Sequence, residues 1–374
     1  MVKKKYSKKR KSNYWVWPIV AVLAVSFIFV LILGFFKKST DFISLFKNGK
    51  FLVLFQNNSE IRSSGGFIGS YAVAEVKNYE LKSLNFNTNI YFLDRAFAQN
   101  NFVQAPFPIA KMTKNETWAL RDANYDASFS DAGQDVLDFY EKETGEKVDG
   151  IIALNAKVLV DLLRLVGPIK LDKYNVTVSA DNFYDVTQYK IEKEYYENPE
   201  NWIINEPKTF LKDLYPIILN KAMEQKIAFL KMIKNELNTN EIIFYFSDLK
   251  KEKIVEALGF AGKIYSEQDL RKMFKIEEPV DYLYINSNSY SGNKSSLSVK
   301  QDIDYKIVPD NNFSDKLKAN LKITRVHEGS NTWPDGKNTT WMRVYVSNVA
   351  QFVSASLNGQ DVSLLTEVKE ENDK

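Results

Sequence analysis

Three short polar clusters carry the side chains with which this chain could do chemistry. The first runs Gln56-Asn57-Asn58-Ser59-Glu60-Ile61-Arg62-Ser63-Ser64-Gly65-Gly66 between two apolar stretches. A glycine-rich loop there would expose backbone N–H groups, and the forked guanidinium of Arg62 suits an anionic group. The GxxxxGK[ST] spacing is absent and no helix follows, so a nucleotide P-loop is excluded. Equally, the two glycines could simply make a sharp turn, with Arg62 paired to a carboxylate. The second cluster is Arg121-Asp122-Ala123-Asn124-Tyr125-Asp126. Asp122, Asn124 and Asp126 offer oxygen atoms and Arg121 a cation, but the spacing fits no EF-hand. Turn formation explains the same residue types. The third is Asp94-Arg95, after the apolar run Ile90–Leu93; it is either part of a site or a solvated pair at a strand end. His327, the one histidine, sits in an alternating run beside Glu328, where packing or exposure accounts for it without catalysis.

The elements that must position these residues follow from periodicity. Lys50–Gln56 and Phe67–Val76 predict strands, with a polar loop over Asn57–Gly66, and Glu80–Asn87 predicts a third strand. A long irregular stretch follows. A helix capped by Ser128 or Ser130 should end at Gly145. Val148–Leu154 predicts a buried strand and Asn155–Val166 an amphipathic helix stopped by Gly167-Pro168, with a further strand after it. That order gives a βαβ unit and an α/β fold with a mixed sheet. Helices are expected over Asp181–Glu194, Pro207–Leu237, Leu249–Leu258 (capped by Asp248) and Glu267–Phe274, with a strand at Ile242–Phe246. Beyond Val280 the helical period vanishes. Short runs at Tyr282–Ile285, Leu297–Asp304, Leu321–His327 and Met342–Val346 predict a small β-rich module.

Composition narrows the classes. The 374 residues contain no cysteine, which excludes disulfides and thiolate metal sites. Nine cations fall in residues 1–38 with no acid among them; removing them from the net +3 leaves the remainder at −6. A mildly acidic body argues against nucleic acid as a partner. Tyr14–Phe36 holds 23 residues without a charge, enough to span a bilayer core of about 30 Å. Seven cations precede this run and Lys37 and Lys38 follow it, so the N-terminus is expected to stay cytoplasmic. Its length and the lack of a small-x-small cleavage site favour an uncleaved anchor in the cell membrane over a signal peptide. The expected organisation is a basic tail (1–13), a transmembrane helix (14–36), a neck (37–49), an α/β domain (50–278), a β-rich module (279–368) and a polar tail (369–374).

The runs LVLFQNNSEIRSSGGFIGSYAV (Leu52–Val73), RDANYDASFSDA (Arg121–Ala132) and VDGIIALNAKVLVDLLRLVGPI (Val148–Ile169) closely resemble the bacterial family known as domain of unknown function 4012. Asn288–Ile307 and Met342–Val346 look like its C-terminal part. The resemblance implies a single-pass extracytoplasmic protein and no particular chemistry. A more distant similarity is to the LytR-CpsA-Psr domain, whose members transfer glycopolymers from polyprenyl-pyrophosphate carriers. It rests on Arg62, the segment from Arg121 and the unit Asp149–Ile169. That similarity implies that Arg62, Arg95 and Arg121 would hold a pyrophosphate and that Asp94 and Asp122 would place Mg²⁺. The chain departs from the pattern where IYFLDR (Ile90–Arg95) replaces a Ser-Ile-Pro-Arg-Asp run, and where Tyr189–Trp202 lacks arginine. Two functions are therefore expected. The first is a non-catalytic binding or scaffold protein of the cell envelope, held by the lipid bilayer. The alternative is a LytR-CpsA-Psr-like phosphotransferase or carrier acting on a polyprenyl phosphate lipid or a cell-wall glycopolymer.

Overall fold

The computed structural model describes residues 40–278, 280–290, 292–310 and 313–369. The basic tail and the proposed anchor Tyr14–Phe36 lie outside these residues, as does most of the polar tail; among the described residues no helix is long and apolar enough to cross a membrane.

A short helix α1 (Thr40–Ser44) leads into β1 (Asn48–Arg62), β2 (Gly65–Lys77) and β3 (Glu80–Asn87). Helices α2 (Ile90–Ala98), α3 (Phe107–Thr113) and α4 (Phe129–Thr144) precede β4 (Gly150–Asn155), which is followed by α5 (Ala156–Val166). The hairpin β5 (Ile169–Leu171) and β6 (Val176–Val178) is followed by α6 (Phe183–Tyr189), a π-helical turn (Lys190–Glu194), α7 (Tyr195–Glu197) and α8 (Glu200–Ile204). Next come α9 (Thr209–Glu224), α10 (Lys226–Asn238), β7 (Ile242–Phe246), α11 (Leu249–Ala257) and α12 (Glu267–Phe274).

The main sheet has the order β3-β2-β1-β4-β7. Only β1 and β4 run parallel; the other pairs are antiparallel, so the sheet is mixed. Because side chains alternate across a strand, each strand feeds two cores. Phe51, Val53, Ile242, Phe244 and Phe246 join a core with α1, α5, α9 and α10. Leu52, Leu54, Ile151, Ile243 and Tyr245 join another with α2 and α4. A sheet covered on both faces explains the unbroken apolar runs in β1 and β7.

The predicted βαβ unit is only half present. β5 pairs with β6 outside the main sheet, and β4 instead lies parallel to β1. The predicted polar loop Asn57–Gly66 is largely strand: β1 continues to Arg62, with register shifts at Phe55/Gln56 and Asn57/Ile61. This half of β1 tolerates buried polar residues because Glu60 and Arg62 pair with each other and Arg62 with Asp122. Ile90–Leu93 is the first turn of α2 rather than a strand. The long helix predicted over Pro207–Leu237 breaks at Gln225, where φ −102° and ψ 51° leave the helical region.

The C-terminal region contains β8 (Leu283–Asn288) paired with β11 (Trp341–Val346), and a ribbon of β9 (Val299–Asp310) with β10 (Phe313–His327). β8 meets the tip of the β1–β2 hairpin: the Ser289 amide donates to Ile61 O at 2.9 Å, and Asn286 Nδ2 donates to Ser63 O at 2.7 Å. Ser63 Oγ in turn donates to Asn288 Oδ1 at 2.5 Å.

Candidate functional site

The β1–β2 hairpin turns at Ser63-Ser64. Gly66 is required there, because a Cβ on it would lie 2.3 Å from the Asn57 backbone. The hairpin carries Glu60 and Arg62 against the 3₁₀ turn Leu120–Asp122, and α2 presents Asp94 to the same turn.

These residues form a chain of alternating charge. Lys294 donates to Glu60, whose other oxygen receives Arg62 Nη2 at 2.9 Å. Arg62 Nε reaches Asp122 Oδ1 at 2.8 Å, and Arg121 Nε lies 3.4 Å from Asp122 Oδ2. Arg121 Nη1 then pairs with Asp94 Oδ2 at 2.8 Å. Arg62 also donates to the Ser289 carbonyl, and its plane lies between the rings of Phe67 and Tyr290 at 5.1 and 4.6 Å. Arg62, Glu60, Asp94 and Asp122 are all buried.

The chain ends in two carboxyl groups whose burial favours their protonated forms. Burial pushes Glu143 up to about 8, and the nearby charge of Asp94 adds to that; burial also pushes Asp94 up to about 6, against the pull of Arg121. Asp94 Oδ1 and Glu143 Oε2 are both buried and lack any other partner, while Glu143 Oε1 accepts the Leu120 amide at 2.8 Å. One proton held between the two carboxyl groups satisfies both. Glu143 is thus protonated in the fold at pH values where the unfolded chain has released that proton. The resulting stability is present at low pH and is lost as pH rises from about 4.5 through about 8. A Glu143→Gln variant keeps a donor without titrating. Its melting temperature is expected to rise relative to wild type as pH goes from 5 to 8.5; parallel profiles would show that no proton is shared.

The structure brings Arg62, Asp94, Arg121 and Asp122 together, Arg95 also lines the cavity that Arg62 and Arg121 reach, and the other candidates lie apart. Arg95 sits on the exposed face of α2, its Nε bonded to Tyr91 O at 3.0 Å, so Asp94-Arg95 is neither a strand-end pair nor solvated as one. Asn124 is fully buried and donates to Gly66 O at 2.9 Å, which makes it a brace for the hairpin. Asp126 is half-buried and does not line the cavity described below. His327 faces Asp335 at 3.3 Å, also away from that cavity. As Mg²⁺ ligands, Asp94 and Asp122 do not fit: Asp122 gives both oxygens to guanidinium groups, and Asp94 divides its own between Arg121 and Glu143. Among the described residues no three His, Cys, Asp or Glu side chains gather as a metal site.

The charged chain forms one end of a cavity of about 880 Å³. Its other walls are mostly apolar. Val53, Phe55 and Leu154 line it from the sheet; Leu159, Leu219 and Ile233 line it from α5, α9 and α10. Lys208, Lys294 and Glu192 also reach its polar end. No local pattern marked these three, because their partners are distant in sequence: Lys208 meets Gly69 and Lys294 meets Glu60.

Residues 47–191 match the model of a family described as protein of unknown function (DUF4012). No curated protein matches. Among solved structures, the X-ray structure of the Lin1025 protein from Listeria innocua is similar at 14% identity, over 57% of this chain and 78% of that one, with a TM-score of 0.28. A likeness that weak carries no argument about fold or role, and these matches do not bear on the more distant LytR-CpsA-Psr similarity.

Proposed function

We propose a function from the cavity itself, since the family model that residues 47–191 match is described without an activity: a non-catalytic protein that holds the hydrocarbon chain of an amphiphile between its sheet and its helices. The observation that carries this reading is an apolar cavity of about 880 Å³ closed at one end by charged groups. Cavities of this size bury most of a ligand's apolar surface, and such burial supplies roughly 25 cal/mol per Å². Transfer chemistry on a phosphorylated ligand needs cations free to meet developing charge. Arg62 and Arg121 are instead committed to Glu60, Asp122 and Asp94. In this proposal the uncharged run Tyr14–Phe36 anchors the chain, with the basic tail inside the cell and the cavity outside, near the bilayer.

A second reading, a LytR-CpsA-Psr-like transferase or carrier for a polyprenyl-linked glycopolymer, draws support from the meeting of Arg62, Arg121, Asp94 and Asp122 beside an apolar cavity. It requires those ion pairs to open.

The full chain, held in an amphipathic polymer, can be titrated with a linear C18 tetraene alcohol that fluoresces only out of water. Saturable binding is expected. Leu159→Trp and Leu219→Trp fill the cavity from two helices, and each should weaken that binding at least tenfold. Unchanged binding in both variants would refute the cavity as the site.

A further inference from the structure

Resting on that reading, we propose that Lys208 is the receptor for the ligand's head group, and that this head group is a monoanionic oxyanion seated between Lys208 and Lys294. Of the cations lining the polar end, Lys294 pairs with Glu60 and lies 3.9 Å from Glu192, Arg62 pairs with Glu60 and Asp122, Arg121 pairs with Asp122 and Asp94, and Arg95 is exposed. Lys208 is the enclosed lining cation outside these pairs. Among the described residues no carboxylate comes within ion-pairing distance of it, and its Nζ donates to the carbonyl of Gly69. A single ammonium group without a carboxylate partner suits one negative charge, where a pyrophosphate would bring more.

The seat for that amine is built by the backbone. In the β1–β2 ladder Phe55 pairs with Ser70 and Gln56 with Ile68, so Gly69 is the unpaired residue of a bulge. A bulged residue is free to aim its carbonyl away from the ladder. A Cβ on Gly69 would lie 2.6 Å from Lys208 Nζ and would push the amine off this carbonyl. The enclosure of the amine pushes Lys208 down to about 7, and the charge of Lys294 adds to the effect. Near neutrality the empty site is therefore close to half-protonated. An arriving anion favours the ammonium form, so binding takes up a proton.

Long-chain carboxylates and singly charged alkyl phosphodiesters share this chemistry, and displacement of the tetraene alcohol from the full chain separates them. Hexadecyl methyl phosphate stays monoanionic across the range and so reports the protein's titration alone. Its affinity relative to hexadecanol should be at least tenfold at pH 6.5. That preference should fall towards one by pH 8.5, as expected for one proton leaving a group near 7. Hexadecanoate run beside it identifies the favoured oxyanion. In Lys208→Met the preference over the alcohol should drop to about one at every pH. A preference that persists in Lys208→Met, or that does not change with pH in wild type, would overturn the assignment while alcohol binding still upheld the cavity. If neither alcohol nor anion binds, the cavity reading fails first.

Discussion

Arg62→Ala is expected to cost about 3–5 kcal/mol of folding stability, the loss that follows when one partner of a buried ion pair is deleted. Glu60 and Asp122 would each remain buried with part of their compensation gone, and the Ser289 carbonyl would lose a donor. Burial by itself would push Glu60 up, yet Arg62 first and Lys294 second hold it below the usual carboxylate range. The stability that Glu60 contributes is therefore present above its unfolded value and disappears as pH falls through the folded one. Without Arg62 that contribution shrinks, so the variant should suffer most at neutral pH. Urea unfolding of wild type, Arg62→Ala and the double variant Arg62→Met/Asp122→Asn measures this. The double variant should recover much of the loss, since it removes charge from both sides. If Arg62→Ala melts like wild type but binds the amphiphile poorly, the arginine is a ligand contact and the structural role assigned to it is wrong.

Gly133→Ala should destabilise by about 3 kcal/mol, at the upper end of the range for overpacking a core. On an exposed helix the same change would gain about 1 kcal/mol through helix propensity. Here α4 crosses β7 so closely that a Cβ would fall 2.1 Å from Cγ of Tyr245. That ring cannot simply swing aside, because it lies in the core beneath α4 and its hydroxyl donates to Gln134 Oε1 at 3.0 Å. Calorimetric melting of Gly133→Ala, alone and with Tyr245→Val, tests the account. The second substitution should restore part of the lost stability. Additive losses would mean that the glycine serves something other than Tyr245.

The sequence made the central elements readable where local pattern and burial agreed. β4, α5 and β7 appear where apolar runs and the Gly167-Pro168 stop predicted them, and Asp248 caps α11 by accepting from the amides of Lys250 and Lys251 at 2.9 and 3.0 Å. Short apolar runs with no flanking stop were less readable. Ile90–Leu93 has the length of a strand and becomes helix because α4 and the 3₁₀ turn offer it a groove. The polar half of β1 reads as loop by composition and forms strand because β2 pairs with it across two bulges. In the site, the local signal picked out Arg62, Asp94, Arg121 and Asp122 but could not give their pairing. Glu143, Lys208 and Lys294 stayed invisible because their partners lie between 23 and 234 residues away in sequence.

The way β8 closes over the hairpin tip bears on how this protein can change over evolutionary time. Arg62, Ser63 and Ile61 bond directly to residues 286–289. The matched segment 47–191 therefore contains a guanidinium group whose surroundings are completed from beyond it. Recombination that joined this segment to a foreign C-terminal half would inherit a buried cation with an unfilled valence. The two halves are bound to be passed on together, or to be altered in step at the seam.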